Sequence, residues 1–168
     1  SGSLYLGATG AWHRNLYDKY GSLEENAYED LIFGFRAALE KKFHILHEPL
    51  VTYRLGFGVT SKDSFFENTE SFRRKRIQSL KVIKAVYAQR LKDALTFGHS
   101  SKSLLIKAIK HELLKADIGL RFYNKKSSKF WSGMLYHPIL TLKRFVLEYL
   151  RIFRFKRTLK IFKKSSPL

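Results

Sequence analysis

Glu29 and Asp30 stand side by side just before the run Leu31-Ile32-Phe33-Gly34-Phe35-Arg36, so both acids fall in the first turn of a helix over about 28–41. Orphan amides at a helix start orient a carboxylate, and the helix dipole favours negative charge there. A carboxylate held in this way suits the removal of a proton from a hydroxyl that is about to attack another centre. Upstream, Gly7, Ala8, Thr9 and Gly10 lack bulk, so a ligand can come close to the main chain. Trp12 and His13 follow, side chains that stack on or hydrogen-bond a sugar, or else pack as a buried Trp and a surface His. Downstream, Tyr53 and Arg54 end a β-like run ahead of the glycine-bearing segment Leu55-Gly56-Phe57-Gly58.

Local patterns say which elements must position these groups. Ser3–Leu6 reads as a short strand, and Trp12–Tyr20 as a short helix closed by Gly21. In the helix over 28–41, spacing puts Leu31, Phe35, Ala38 and Leu39 on one face, with Lys41 and Lys42 complementing the C-terminal dipole. Residues 43–46 and 50–53 are β-like runs separated by Pro49. From Ser64 the pattern turns helical. One long helix is predicted over 64–97 and ended by Gly98, a second over 101–122 with Ser101 as N-cap, and a third from Pro138 to about Lys163. The run Arg73-Arg74-Lys75-Arg76 reads as the polar side of a solvated helix.

In order and spacing, the Gly-Ala-Thr-Gly segment, the Glu29-Asp30 helix and Pro49-Leu50-Val51-Thr52-Tyr53-Arg54 resemble the C-terminal half of the catalytic domain in bacterial inverting glycosyltransferases of the large family-two group. The resemblance covers about residues 4–62 and implies the acceptor side of a nucleotide-diphospho-sugar transferase domain of the GT-A type. It implies Asp30 as general base, Glu29 as its positioning neighbour, and Gly7, Ala8, Thr9, Gly10 and Trp12 beside the sugars. Tyr53 and Arg54 match a Tyr-Arg pair that reaches a diphosphate or braces the acids. A divalent metal, Mg or Mn, is implied for the parent enzyme, with ligands mostly outside this chain. Many relatives carry a metal-binding His two residues after that Arg, and here the position is Gly56. The nucleotide-binding half that would precede residue 1 is not in the sequence, so the chain reads as a piece of an enzyme. The expected fold is an α/β fragment over 1–62 followed by a mainly α-helical extension over 63–168, mostly helical overall with a few short strands.

Charge separates the two parts. Residues 1–60 hold six Lys/Arg against seven Asp/Glu, and residues 61–168 hold 26 against seven, so the net charge of +18 resides in the extension. Such asymmetry points to an anionic surface as partner. Along the last helix Ile139, Leu142, Phe145, Val146, Tyr149, Ile152 and Phe153 fall on one side, and Arg144, Glu148, Arg151 and Arg154 on the other. An apolar face flanked by cations is the pattern of a helix resting in a bilayer interface. The same face also suits packing on the preceding helices.

The expected partners are a nucleotide-sugar donor, a glycan or lipid-linked acceptor and an anionic membrane surface, at the cytoplasmic face of the bacterial inner membrane and peripheral to it. The alternative class is a non-enzymatic basic helical module binding anionic membrane or nucleic acid. No named nucleic-acid motif is present, and nucleic acid is not the expected partner. With no Cys, disulfides and cysteine-based zinc sites are excluded. Gly-x-Ser-x-Gly, the P-loop and an Asp-x-Asp triplet are also absent.

Overall fold

The structure, a computed structural model, describes residues 10–42, 44–48, 51–52, 68–100, 103–124 and 136–165, with side chains in the last helix to 158. Among them the chain is mostly helical: α1 (Asn15–Tyr20), α2 (Glu29–Leu39), α3 (Thr69–Thr96), α4 (Leu104–Tyr123) and α5 (Pro138–Ser165). No strand occurs among the described residues. Residues 44–46 and 51–52, expected in β-like runs, belong to no ladder, and Ser3–Leu6 lies outside the described residues. An extended pattern becomes a strand only when a second edge supplies its hydrogen bonds.

Each helix end has a local cause. Gly21 closes α1 with φ 75° and ψ −166°, and its N–H donates to Tyr17 O at 2.7 Å. That backbone region is essentially glycine's own. Gly21→Ala is therefore expected to cost about 1–3 kcal/mol, read as a lowered urea midpoint; an unchanged midpoint would contradict it. α2 ends on Lys41 at φ 55°, with Lys42 N–H reaching back to Ala37 O and Lys41 N–H to Ala38 O. α3 ends the same way at Gly98, with His99 N–H bonded to Ala94 O and Gly98 N–H to Leu95 O. α3 begins on a reciprocal cap: Ser71 N–H donates to Asn68 Oδ1 at 2.8 Å, and Asn68 N–H to Ser71 Oγ at 3.3 Å. The cap of α4 is Ser103, whose Oγ accepts from Ile106 N–H. The expected cap, Ser101, lies outside the described residues. Pro138 opens α5 as anticipated.

The chain divides into two compact units, Ser1–Leu55 with Lys81–Leu113 and Gly56–Leu80 with Leu114–Leu168. In the first unit α2 is enclosed on more than one side. Ile32 packs with Val82 and Val86 of α3, and Phe35 packs against Ala94, Ile106 and Ile109. The buried set on α2 is Ile32, Phe33, Gly34, Arg36, Ala37 and Leu39, while Ala38, placed by spacing on the buried face, is exposed. Arg36 is fully enclosed because its guanidinium meets an equally enclosed carboxylate: Nε lies 2.8 Å from Asp93 Oδ2 and Nη2 3.2 Å from Oδ1. Gln89 completes the network, donating to Asp93 Oδ1 at 2.7 Å and accepting from Glu24 N–H at 2.8 Å.

In the second unit the centre is also ionic. Glu148 of α5 is buried and accepts from Arg76 of α3, from the Tyr123 hydroxyl of α4, and from Arg151 on its own helix, with Arg144 at 3.1 Å. Arg76 is thereby drawn out of the solvated role expected for the 73–76 run, and Arg73 donates to Tyr123 O. Gly119 gives α4 its close approach here: a Cβ at that position would lie 3.1 Å from Leu80 Cδ2 and 3.3 Å from Arg144 Nε.

Candidate functional site

A cleft of about 510 Å³ opens in the first unit between the segment entering α1 and one side of α2. Its walls include Gly10, Trp12 and His13 from the entering segment, Lys19 from α1, Phe33 and Ala37 from α2, and Glu40, Lys42 and His44 beyond it. Trp12 is held at the rim by a parallel stack on Phe33, with ring centroids 4.5 Å apart and planes within 10°. Half-exposed, it lines the cleft together with Phe33, and a flat aromatic ring in such a place suits contact with the apolar face of a sugar. His13 is occupied in part by the start of α1, where its Nδ1 accepts from Asn15 N–H.

The polar floor of the cleft is a cluster around Glu40. Its Oε1 accepts from Lys19 Nζ and, at 2.8 Å, from the Tyr20 hydroxyl; its Oε2 lies 3.8 Å from Lys42 Nζ. The hydrogen bonds from Lys19 and Tyr20 hold the Glu40 carboxyl below its ordinary pKa. Burial, reinforced by the Glu40 charge, pushes the Tyr20 phenol up, so it remains a neutral donor. The left-handed turn at Lys41 delivers Lys42 to this floor. Neither Lys19 nor Glu40 is marked by local pattern, because they converge only when α1 folds against the end of α2.

Of the residues expected at a site, Gly10 and Trp12 line the cleft. Asp30 stands in the first turn of α2, three residues before Phe33 and seven before Ala37, hence on the same side of the helix as these two wall residues. It is not itself a wall residue. Its Oδ1 is shielded from solvent and has no hydrogen-bond partner among the described residues. Glu29 is exposed. Gly7, Ala8, Thr9, Tyr53 and Arg54 lie outside the described residues.

Among the described residues no three His, Asp or Glu gather as a metal site. No helix among the described residues is long and apolar enough to cross a membrane. Comparison with protein-family models, with curated proteins and with solved structures finds no match to this chain.

Proposed function

We infer that the chain is the acceptor-side portion of an inverting glycosyltransferase, an α/β catalytic fragment of the GT-A type with a helical extension, acting peripherally at the cytoplasmic membrane face. The observation that carries the reading is Asp30: a carboxylate oxygen shielded from water, without a hydrogen-bond partner among the described residues, on the helix side that continues into a cleft lined by Gly10 and Trp12. A buried polar oxygen left unsatisfied costs about 1–3 kcal/mol, a cost tolerated where a ligand hydroxyl is to be received.

In this reading the acceptor hydroxyl donates to Asp30 as its oxygen attacks the anomeric carbon. The new glycosidic bond forms from the face opposite the leaving group. The bond from that carbon to the diphosphate oxygen breaks, and the nucleoside diphosphate departs with the electron pair. Asp30 keeps the proton. Trp12 supplies a flat platform for a sugar ring, and Gly10 leaves room for it at the main chain. Glu29, one residue earlier and exposed, bears on acceptor orientation and not on the proton. A nucleotide-sugar donor and a glycan or lipid-linked acceptor are the substrates, with the metal and most of the donor site supplied by sequence outside this chain.

In the intact transferase, Asp30→Asn is expected to lower turnover by at least about a hundredfold, with donor affinity within about twofold of the starting value. The measurement is single-turnover transfer from a labelled nucleotide-sugar beside equilibrium donor binding. Turnover near the normal rate would remove Asp30 from its role.

A further inference from the structure

α5 carries two stripes of heptad spacing on opposite sides. Thr141, Arg144, Glu148 and Phe155 follow one stripe. Thr141 and Glu148 on it are buried, held by the Arg76, Tyr123 and Arg151 bonds to Glu148 and by Phe155 stacked on Phe72 at 4.5 Å. Ile139, Leu142, Val146, Tyr149 and Phe153 follow the other, and they are 71, 53, 47, 60 and 58% exposed. The stripe that carries Glu148 faces the protein, and the stripe from Ile139 to Phe153 faces outward. Two members of the apolar side read from the sequence turn toward the preceding helices, Phe145 meeting Phe122 edge to face and Ile152 half-buried beside Phe72, Phe122 and Tyr123, while these five stay outside.

Large apolar side chains aligned over more than three turns lose roughly 25 cal/mol for each Å² left in water, and their common direction marks a surface awaiting a partner. Charge selects the partner. α5 holds nine Lys/Arg and one Glu, and the single Glu is committed inward. Lys143 and Arg154 border one edge of the stripe, and Lys156 and Arg157 follow it; all four are exposed. A second copy would bring the same surplus of cations against itself. A nucleic acid would meet the cations but has no use for Ile139, Leu142 and Val146. An anionic bilayer satisfies both requirements, since its headgroups take the cations and its acyl boundary takes the apolar stripe.

We propose that the outward face of α5, from Ile139 to Phe153 with its bordering Lys and Arg, is a lipid-contact surface on which the helix lies in the plane of an anionic membrane. Glu148 is the device that orients it: by taking the arginines inward it leaves the apolar stripe outside. This surface belongs to the second unit and does not depend on Asp30, so failure of either assignment leaves the other standing.

The test is flotation of the full chain with vesicles of phosphatidylcholine alone and with one quarter phosphatidylglycerol. Binding is expected only to the anionic vesicles, weakening as salt is raised. Leu142→Glu with Val146→Glu, at exposed positions where folding is checked by circular dichroism, should lower partitioning at least about tenfold. Lys143→Gln and Arg154→Gln should lower it roughly fivefold each. Sedimentation of the chain alone and a gel shift with a duplex oligonucleotide complete the set. Three outcomes would overturn the proposal: undiminished vesicle binding by the double-Glu variant, no binding of the starting chain to anionic vesicles, or a dimer that the double-Glu variant dissolves. Oligonucleotide binding that outcompetes the vesicles and survives the double-Glu change would also overturn it.

Discussion

Arg36→Met is expected to destabilise the first unit by about 3–5 kcal/mol, a large fraction of the 5–15 kcal/mol typical of a whole domain. The side chains of Arg36 and Asp93 are both wholly enclosed, so removing the guanidinium strands a carboxylate without water or counter-charge. The loss does not end with the ion pair. Arg36 Nη1 also donates to Gly21 O at 3.1 Å and Leu16 O at 3.4 Å, and Nη2 to Tyr20 O at 3.5 Å. The Tyr20 and Gly21 carbonyls stand at the closing end of α1, where a helix has no partners of its own, and Leu16 O lies in its first turn. Six residues are too few to hold a helix in isolation, so α1 persists because a side chain from α2 caps it from within the core. The guanidinium also lies over the Tyr20 and Phe33 rings, at 5.2 and 5.3 Å from their centroids. Phe33 supports Trp12, so the same residue braces the cleft wall.

The measurement is a urea titration by circular dichroism, combined with amide exchange over residues 15–21. Arg36→Met should lower the midpoint and accelerate exchange in that segment. Arg36→Lys should rescue little, because an ammonium cannot span Asp93 and three carbonyls at once. Arg36→Met with Asp93→Leu should recover part of the loss by leaving no charge buried, while exchange in α1 stays fast because its carbonyls remain uncapped. A single variant as stable as the starting chain would mean that water reaches the pair.

How much of this was legible in the sequence follows from which signals are local. Gly21, Gly98 and Pro138 act through their own backbones, and each marks a helix boundary where spacing places it. Spacing places Ile139, Leu142, Val146, Tyr149 and Phe153 together on α5, but it also puts Phe145 and Ile152 with them, which turn to Phe122 and Phe72, and Arg154 opposite them, which is exposed; nor does it say which side faces inward, since that depends on Arg76 lying 72 positions before Glu148. α2 shows the same limit. A stripe of Leu31, Phe35, Ala38 and Leu39 is the pattern of a helix lying on one neighbour. Ile32 and Phe35 instead enter different clusters, so burial runs most of the way round and takes in Arg36. An arginine inside an apolar run reads as solvent-facing until its acid, 57 positions away, is known. At the cleft, Gly10 and Trp12 were recognisable by type and position, whereas Lys19, Glu40 and Lys42 meet only through the tertiary fold. The β-like runs failed to become strands among the described residues because alternation gives a strand its shape but not its partner.

Glu148→Gln is expected to cost the second unit about 3–5 kcal/mol, for a reason opposite to that at Arg36: here one acid serves several bases. Arg76 donates from Nε at 3.1 Å and from Nη2 at 2.8 Å, Arg151 from Nη1 at 2.7 Å, and the Tyr123 hydroxyl at 3.0 Å, with Arg144 at 3.1 Å. A neutral amide keeps the volume but leaves three guanidinium groups facing one another, and its NH₂ points a donor at donors. Burial alone raises the Glu148 carboxyl, but the hydrogen bond from Arg76 and the charges of Arg76, Arg144 and Arg151 outweigh it and hold the pKa below its ordinary value. The sign of the pH effect follows. A carboxyl whose folded pKa is depressed contributes its full stability above the ordinary carboxylate range and loses it as pH falls through the depressed value. Tyr123, pushed up by burial and by Glu148, contributes in the opposite sense: it is complete below the ordinary tyrosine range and lost only at strongly alkaline pH. Urea midpoints measured from pH 7 down to 3 should therefore fall for the starting chain and stay flatter for Glu148→Gln, the two curves converging in acid. Curves that remain parallel throughout would show that Glu148 is not the acid whose protonation loosens this unit. Because Glu148 decides which side of α5 faces outward, the variant should also lose its preference for anionic vesicles at neutral pH, and Arg76→Met with Glu148→Leu, which rebuilds the contact without the charges, should regain part of it.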